Sequence, residues 1–227
     1  MHDFLLKLSI MLVPALMAVT FHEVAHGYAA ERCGDPTARL LGRLTLNPLR
    51  HLDPIGTLAL LLLGFGWARA VPVNPGNLRR TRQDMVLVAL AGPGANLALA
   101  IFCALCLRWG AALTAHLPPG SNALLVGEPL TLMAAFGLYI NVILALFNLV
   151  PIPPLDGGRM LLNLLPERAA AVLRSIEPFG LILIVFLVFG TSVWQAFLAP
   201  LVLQVVALLA GAHLDVVLRT VQLLFGA

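Results

Sequence analysis

The amino-acid sequence predicts an all-α polytopic membrane protein with five or six spanning helices. Of its 227 residues, 60% are hydrophobic and only 11% are charged, with a mean hydropathy of +0.94; a soluble domain carries roughly 25% charged residues. Long stretches also lack Asp, Glu, Lys and Arg altogether. Met85–Leu107 and Leu130–Leu155 each exceed the roughly 20 residues that cross a hydrocarbon core. Pro178–Leu214 would run about 55 Å as one helix, so a break is expected around Gly190–Pro200.

The elements follow in order. Leu5–Ala30 reads as the first span, closed by Glu31 and Arg32, with Pro14 tolerated inside it as spanning helices allow. No basic leader or small-residue cleavage site precedes it, so the segment is expected to be retained. Between Gly34 and Asp84 Gly, Pro, Asn and Arg recur, and the apolar run Thr57–Gly66 is too short to cross. This stretch predicts a membrane-associated loop region with small strands at Arg43–Leu46 and Ala70–Val73, the latter at an edge because Pro72 lacks an N–H. Trp109–Pro129 is expected as a linker too short for a folded insert. After Asp156 a short helix and an amphipathic one are expected, divided by Pro166; a sixth span results if the first of them penetrates fully. Leu201–Phe225 closes the chain, and residues 1–227 read as a single domain.

Charge sets orientation. The net charge of +3 and pI near 9.1 arise from arginines that flank hydrophobic spans rather than forming one basic stripe, which speaks against nucleic acid as a partner. Arg32, Arg39, Arg43, Arg50, Arg69, Arg79, Arg80 and Arg82 lie between the first two long spans, and Arg159, Arg168 and Arg174 follow Asp156. The positive-inside rule places both regions in the cytoplasm, the N-terminus outside and the C-terminus inside. Arg39, Arg43, Arg79 and Arg80 are expected to serve topology and headgroup contact. Cys103 and Cys106 have C-x-x-C spacing but sit in an apolar helix with no second pair, so packing is the expected role.

The chemistry is concentrated in His22-Glu23-Val24-Ala25-His26, an H-E-x-x-H run inside the first span. Positions i and i+4 share a helix face, so both imidazoles can reach one metal with Glu23 beside an open position, the layout of a zinc hydrolase. Polar groups at membrane depth are costly and mark function. A catalytic zinc usually takes three protein ligands. Asp156 is one candidate for the third: it follows Pro151, Pro153 and Pro154 and precedes Gly157 and Gly158, whose freedom would suit unusual torsions. Asp53, His51, Glu31, His116 and His213 are the others.

His22-Glu23-x-x-His26 followed by Asn148-x-x-Pro-x-Pro-x-Leu-Asp156-Gly resembles the site-2 protease family of intramembrane zinc metalloproteases. Gly42–Pro48, His51–Pro54, Gly66-Trp67, Pro72–Pro75 and Ala91–Asn96 extend the resemblance along most of the chain, to the compact form without a PDZ or nucleotide-sensing domain. The resemblance implies one zinc per chain on His22, His26 and Asp156, Glu23 as catalytic acid and base, a three-helix core around a buried site, and transmembrane proteins or peptides in the bilayer as substrates. Asn148 holds the position of a substrate-facing residue, with helix-to-helix bonding as its alternative. Asn96 is open between substrate contact, support of the ligands and packing. The rival from another class is a non-proteolytic membrane metal-binding protein or transporter, against which the complete ligand set and the lack of inverted repeats both weigh.

Overall fold

Hydrocarbon offers backbone N–H and C=O groups no partner but one another, so runs long enough to cross a bilayer become helices. In the computed structural model, which describes residues 2–56, 58, 66–118 and 120–226, five stretches are long and apolar enough to span: Leu5–Arg32, Thr81–Ala115, Leu124–Asn148, Glu167–Phe189 and Trp194–Phe225. The chain is an all-α, multi-pass membrane protein.

Helix α1 (His2–Arg32) runs through Pro14 without a break and stops before Gly34, whose φ of 112° suits only glycine. A one-turn helix α2 (Thr37–Leu40) and 3-10 turns at Pro48–Arg50 and Pro75–Asn77 follow. Helix α3 (Thr81–Ala115) opens with the Asp84 carboxylate accepting the Arg80 N–H at 2.7 Å. It continues well past Leu107, and exposed Arg108 donates to the Leu209 carbonyl at 2.8 Å. The connection to α4 (Leu124–Asn148) is therefore shorter than the Trp109–Pro129 linker expected.

Beyond α4 lie α5 (Asp156–Leu164), α6 (Glu167–Ile176) and α7 (Gly180–Phe189). The nine residues of α5 reach only about 14 Å, which leaves five candidate spans and not six. The helix is interrupted after Gly190 as expected, then resumes through a π turn at Trp194–Leu198 into α8 (Ala199–Ala210) and α9 (Leu214–Phe225).

The small strands do not form among the described residues, where the pairing consists of one isolated bridge between Leu52 and Ala68. Side chains take the backbone groups a ladder would use. Arg43 Nη2 donates to the Arg69 carbonyl at 2.7 Å and the Val71 N–H is given to Glu23, while Pro72 has no N–H. The apolar run Thr57–Gly66 lies, apart from Leu58 and Gly66, outside the described residues.

The residues fall into two compact units. One comprises 2–18, 96–118, 120–144 and 195–226, with Ile10, Leu107, Phe136, Leu138, Val142, Val206 and Val217 buried. Cys103 and Cys106 line an apolar cavity of about 500 Å³ within it. The other comprises 19–56, 58, 66–95 and 145–194, and contains both the H-E-x-x-H turn and Asp156.

Candidate metal centre

His22 and His26 stand one turn apart on α1, their Nε2 atoms 3.0 Å from each other. Asp156 Oδ2 lies 3.1 Å from His22 Nε2 and 3.3 Å from His26 Nε2. All three residues are buried, and among the described residues no other group of three His, Cys, Asp or Glu brings its ligand atoms together. The spacing fits a metal: tetrahedral N and O ligands about 2.0–2.1 Å from zinc stand about 3.3 Å apart. Asp156 Oδ2 accepts no properly directed hydrogen bond, although two imidazole nitrogens crowd it. His26 Nδ1 donates to the Val88 carbonyl at 2.7 Å, which puts the proton on Nδ1 and turns the Nε2 lone pair toward the cluster. Two imidazoles and a carboxylate form a donor set suited to zinc.

Glycines let the backbone come close. A Cβ on Gly157 would lie 2.2 Å from the Leu149 carbonyl oxygen, and one on Gly158 would lie 2.2 Å from Pro153 N. Neither glycine has a positive φ. Close approach, rather than the unusual torsion expected from the sequence, is what they supply: the first turn of α5 packs onto 149–153 and so delivers Asp156. Gly92 on α3 borders the centre. A Cβ there would lie 2.4 Å from His26 Nε2 and 2.6 Å from His22 Cε1, so the glycine keeps the centre open.

Glu23 is 9% exposed, and its Oε2 accepts the Val71 N–H at 2.8 Å. The loop carrying Val71 is held by a residue the sequence reading passed over. Asp35 is fully buried and accepts the Thr37 N–H at 3.1 Å, the Thr37 hydroxyl, the Asn74 N–H at 2.7 Å and the Asn77 amide at 2.9 Å. Burial alone would raise its pKa, but these donors outweigh it and hold the carboxyl below its ordinary value. The available signal was Asp-Pro-Thr beside a distant Asn-Pro-Gly-Asn, and only the folded chain joins the two.

Comparison with known proteins bears directly on this centre. The model described as Peptidase family M50 matches residues 121–191, which include Asn148 and Asp156. The chain is also 38% identical over 217 residues to the Bacillus subtilis (strain 168) protein named "Putative zinc metalloprotease YwhC", a match covering 95% of this chain and 92% of that one. The chain belongs to peptidase family M50. A Mycolicibacterium smegmatis protein named "Putative zinc metalloprotease Rip2" is 33% identical over 178 residues, covering 76% of this chain and 63% of its own. No solved structure matches.

Within this M50 chain the other candidate ligands are drawn elsewhere. His51 is fully buried with Nε2 on the Thr45 carbonyl at 2.8 Å, and Asp53 accepts the Gly56 N–H at 2.8 Å. Glu31 pairs with Arg39, His116 is exposed beyond α3, and His213 ends the turn between α8 and α9. Asn148 is the last residue of α4, half-buried. Asn96 is fully buried in the other unit, its amide donating to the Ala18 carbonyl at 3.1 Å and to Asn141 Oδ1 at 2.8 Å. Arg39, Arg79 and Arg80 are exposed, whereas Arg43 is buried.

Proposed function

We propose that this M50 peptidase is a zinc-dependent intramembrane endopeptidase, hydrolysing peptide bonds within or beside transmembrane helices of its substrates. One zinc per chain would be held by His22, His26 and Asp156, with Glu23 as acid and base. The carrying observation is the three converging ligand atoms on and beside a membrane-spanning helix. A zinc ion in that site supplies Lewis acidity, lowering the pKa of water toward 7 and stabilising negative charge that develops on a peptide carbonyl.

The chain's own groups do the rest. His26 is kept in one tautomer by Val88, and Asp156 contributes the negative charge that balances a cation in a low-dielectric site. Glu23, tethered at Oε2 by Val71, takes the proton from the attacking water on Oε1 and returns it to the leaving amide nitrogen. The three ligands and Glu23 are buried, and low-dielectric surroundings strengthen each of these interactions. Asn148, beside the break that delivers Asp156, is suited to hydrogen-bond an unwound substrate backbone.

The test is cleavage of a transmembrane peptide by the purified, zinc-loaded protein in detergent. Glu23→Gln is expected to slow turnover about 10²–10⁴-fold while retaining zinc. Cleavage by Glu23→Gln at the parental rate defeats the assignment.

The arginine asymmetry supports an orientation with the N-terminus outside and the C-terminus in the cytoplasm of a cell membrane. With Cys33, Cys103 and Cys106 replaced by Ser, a Ser121→Cys variant is expected to react with an impermeant maleimide from outside whole cells. Labelling only after permeabilisation inverts the topology.

A further inference from the structure

The geometry points to Arg43 as a positioning residue for Glu23, an inference that rests on the acid and base role proposed above. Headgroup contact is the role its sequence position suggests, yet the side chain is only 9% exposed. None of the ion pairs among the described residues includes it. A buried guanidinium without a carboxylate is costly, so its bonds are informative. Nη2 donates to the Arg69 carbonyl at 2.7 Å and makes a longer contact with the Ala70 carbonyl at 3.5 Å.

Those two carbonyls immediately precede the peptide N–H that holds Glu23. The Arg69 N–H is fixed in turn on the His51 carbonyl at 2.8 Å, and Pro72 has no N–H. Val71 is therefore the donor that this stretch aims at Glu23 Oε2. Burial and the charge of Arg69 push the Arg43 pKa below its ordinary value, and the negative charge of Glu23 opposes that shift, which places the two groups in each other's field.

With Oε2 held, the carboxylate plane is set and Oε1 is presented for proton transfer. Without Arg43 Nη2, the Arg69 carbonyl loses its donor and the Ala70 carbonyl its longer contact, Val71 shifts, and Glu23 samples other rotamers. A misplacement near 1 Å at a reacting group costs about 100-fold in rate. Binding of substrate and metal does not pass through this contact, so the loss belongs in kcat.

The experiment compares zinc-loaded, full-length Arg43→Lys and Arg43→Met with the parent and with Glu23→Gln, using a transmembrane peptide in detergent. Lysine keeps the charge but places a compact ammonium on a shorter stem where arginine places Nη2 of a planar guanidinium. Arg43→Lys is expected to lose kcat about 3–10-fold and Arg43→Met about 30–100-fold, with KM within about threefold and one zinc per chain in both. If Arg43→Met does not fold, Arg43→Lys alone decides. A folded variant whose kcat stays within about twofold of the parent, or whose KM or zinc content changes as much as kcat, overturns the assignment. The two readings fail separately: an active Glu23→Gln removes the acid and base role itself, whereas an inactive Glu23→Gln beside a fully active Arg43→Met removes only the positioning role.

Discussion

Two buried polar clusters in this protein differ in the direction of their hydrogen bonds. In the first compact unit the Asn96 amide donates to Ala18 and to Asn141, and the Asn141 amide donates to the Gly137 carbonyl at 2.8 Å. Donor meets acceptor at each contact, and the cluster is complete as it stands. In the second unit His22 Nε2, His26 Nε2 and Asp156 Oδ2 turn toward one another within 3.3 Å, and the aspartate oxygen receives no directed hydrogen bond. His26 Nε2 and Asp156 Oδ2 both accept, His22 Nε2 stands beside them, and a cation would satisfy all three. Burial and polarity are shared; only the count of donors against acceptors separates helix glue from a metal site.

The comparison breaks most easily at Gly92. A methyl group there would enter the space between the imidazoles, 2.4 Å from His26 Nε2. Gly92→Ala is expected to lower zinc affinity and peptide cleavage by about 10–100-fold, measured by metal competition and turnover, with the helix content unchanged by circular dichroism. Near-parental zinc binding in that variant shows that α3 does not close on the centre. The smaller effect lies in the amide cluster. Asn96→Ala should lower unfolding stability by about 0.6–1.7 kcal/mol, the range for hydrogen bonds between membrane helices, and leave zinc content intact. A loss of zinc on Asn96→Ala shows that the two clusters are not independent.

How much of this was legible beforehand follows from the range over which each signal acts. The spans could be read because hydrophobicity is summed locally along the chain, and His22 and His26 because i and i+4 share a helix face. Asp156 was nominated by its Pro and Gly neighbours, which act within a few residues. What stayed hidden depends on contacts between distant segments. Asp35 joins 35–37 to 74–77 through two contacts, accepting from the Asn74 N–H and the Asn77 amide, and Gly92 matters only because α3 passes the imidazoles. The expected strands failed for the same reason, since period-2 patterning cannot show that the Val71 N–H is claimed by Glu23 and the Arg69 carbonyl by Arg43. Arg43 departs from the topology role that arginine so often has in a membrane protein, and its burial appears only when the loop is folded.

Metal content is the most direct measure of the central claim that the imidazole and carboxylate cluster is a metal site and the amide cluster is not. Elemental analysis after zinc loading and desalting should find one zinc per chain in the parent and in Asn96→Ala, and below about a tenth of that in Asp156→Ala, because losing one of three ligands removes far more affinity than the roughly 10–100-fold cost of losing a supporting contact. Full zinc on Asp156→Ala, or a parent protein that retains none, contradicts the account.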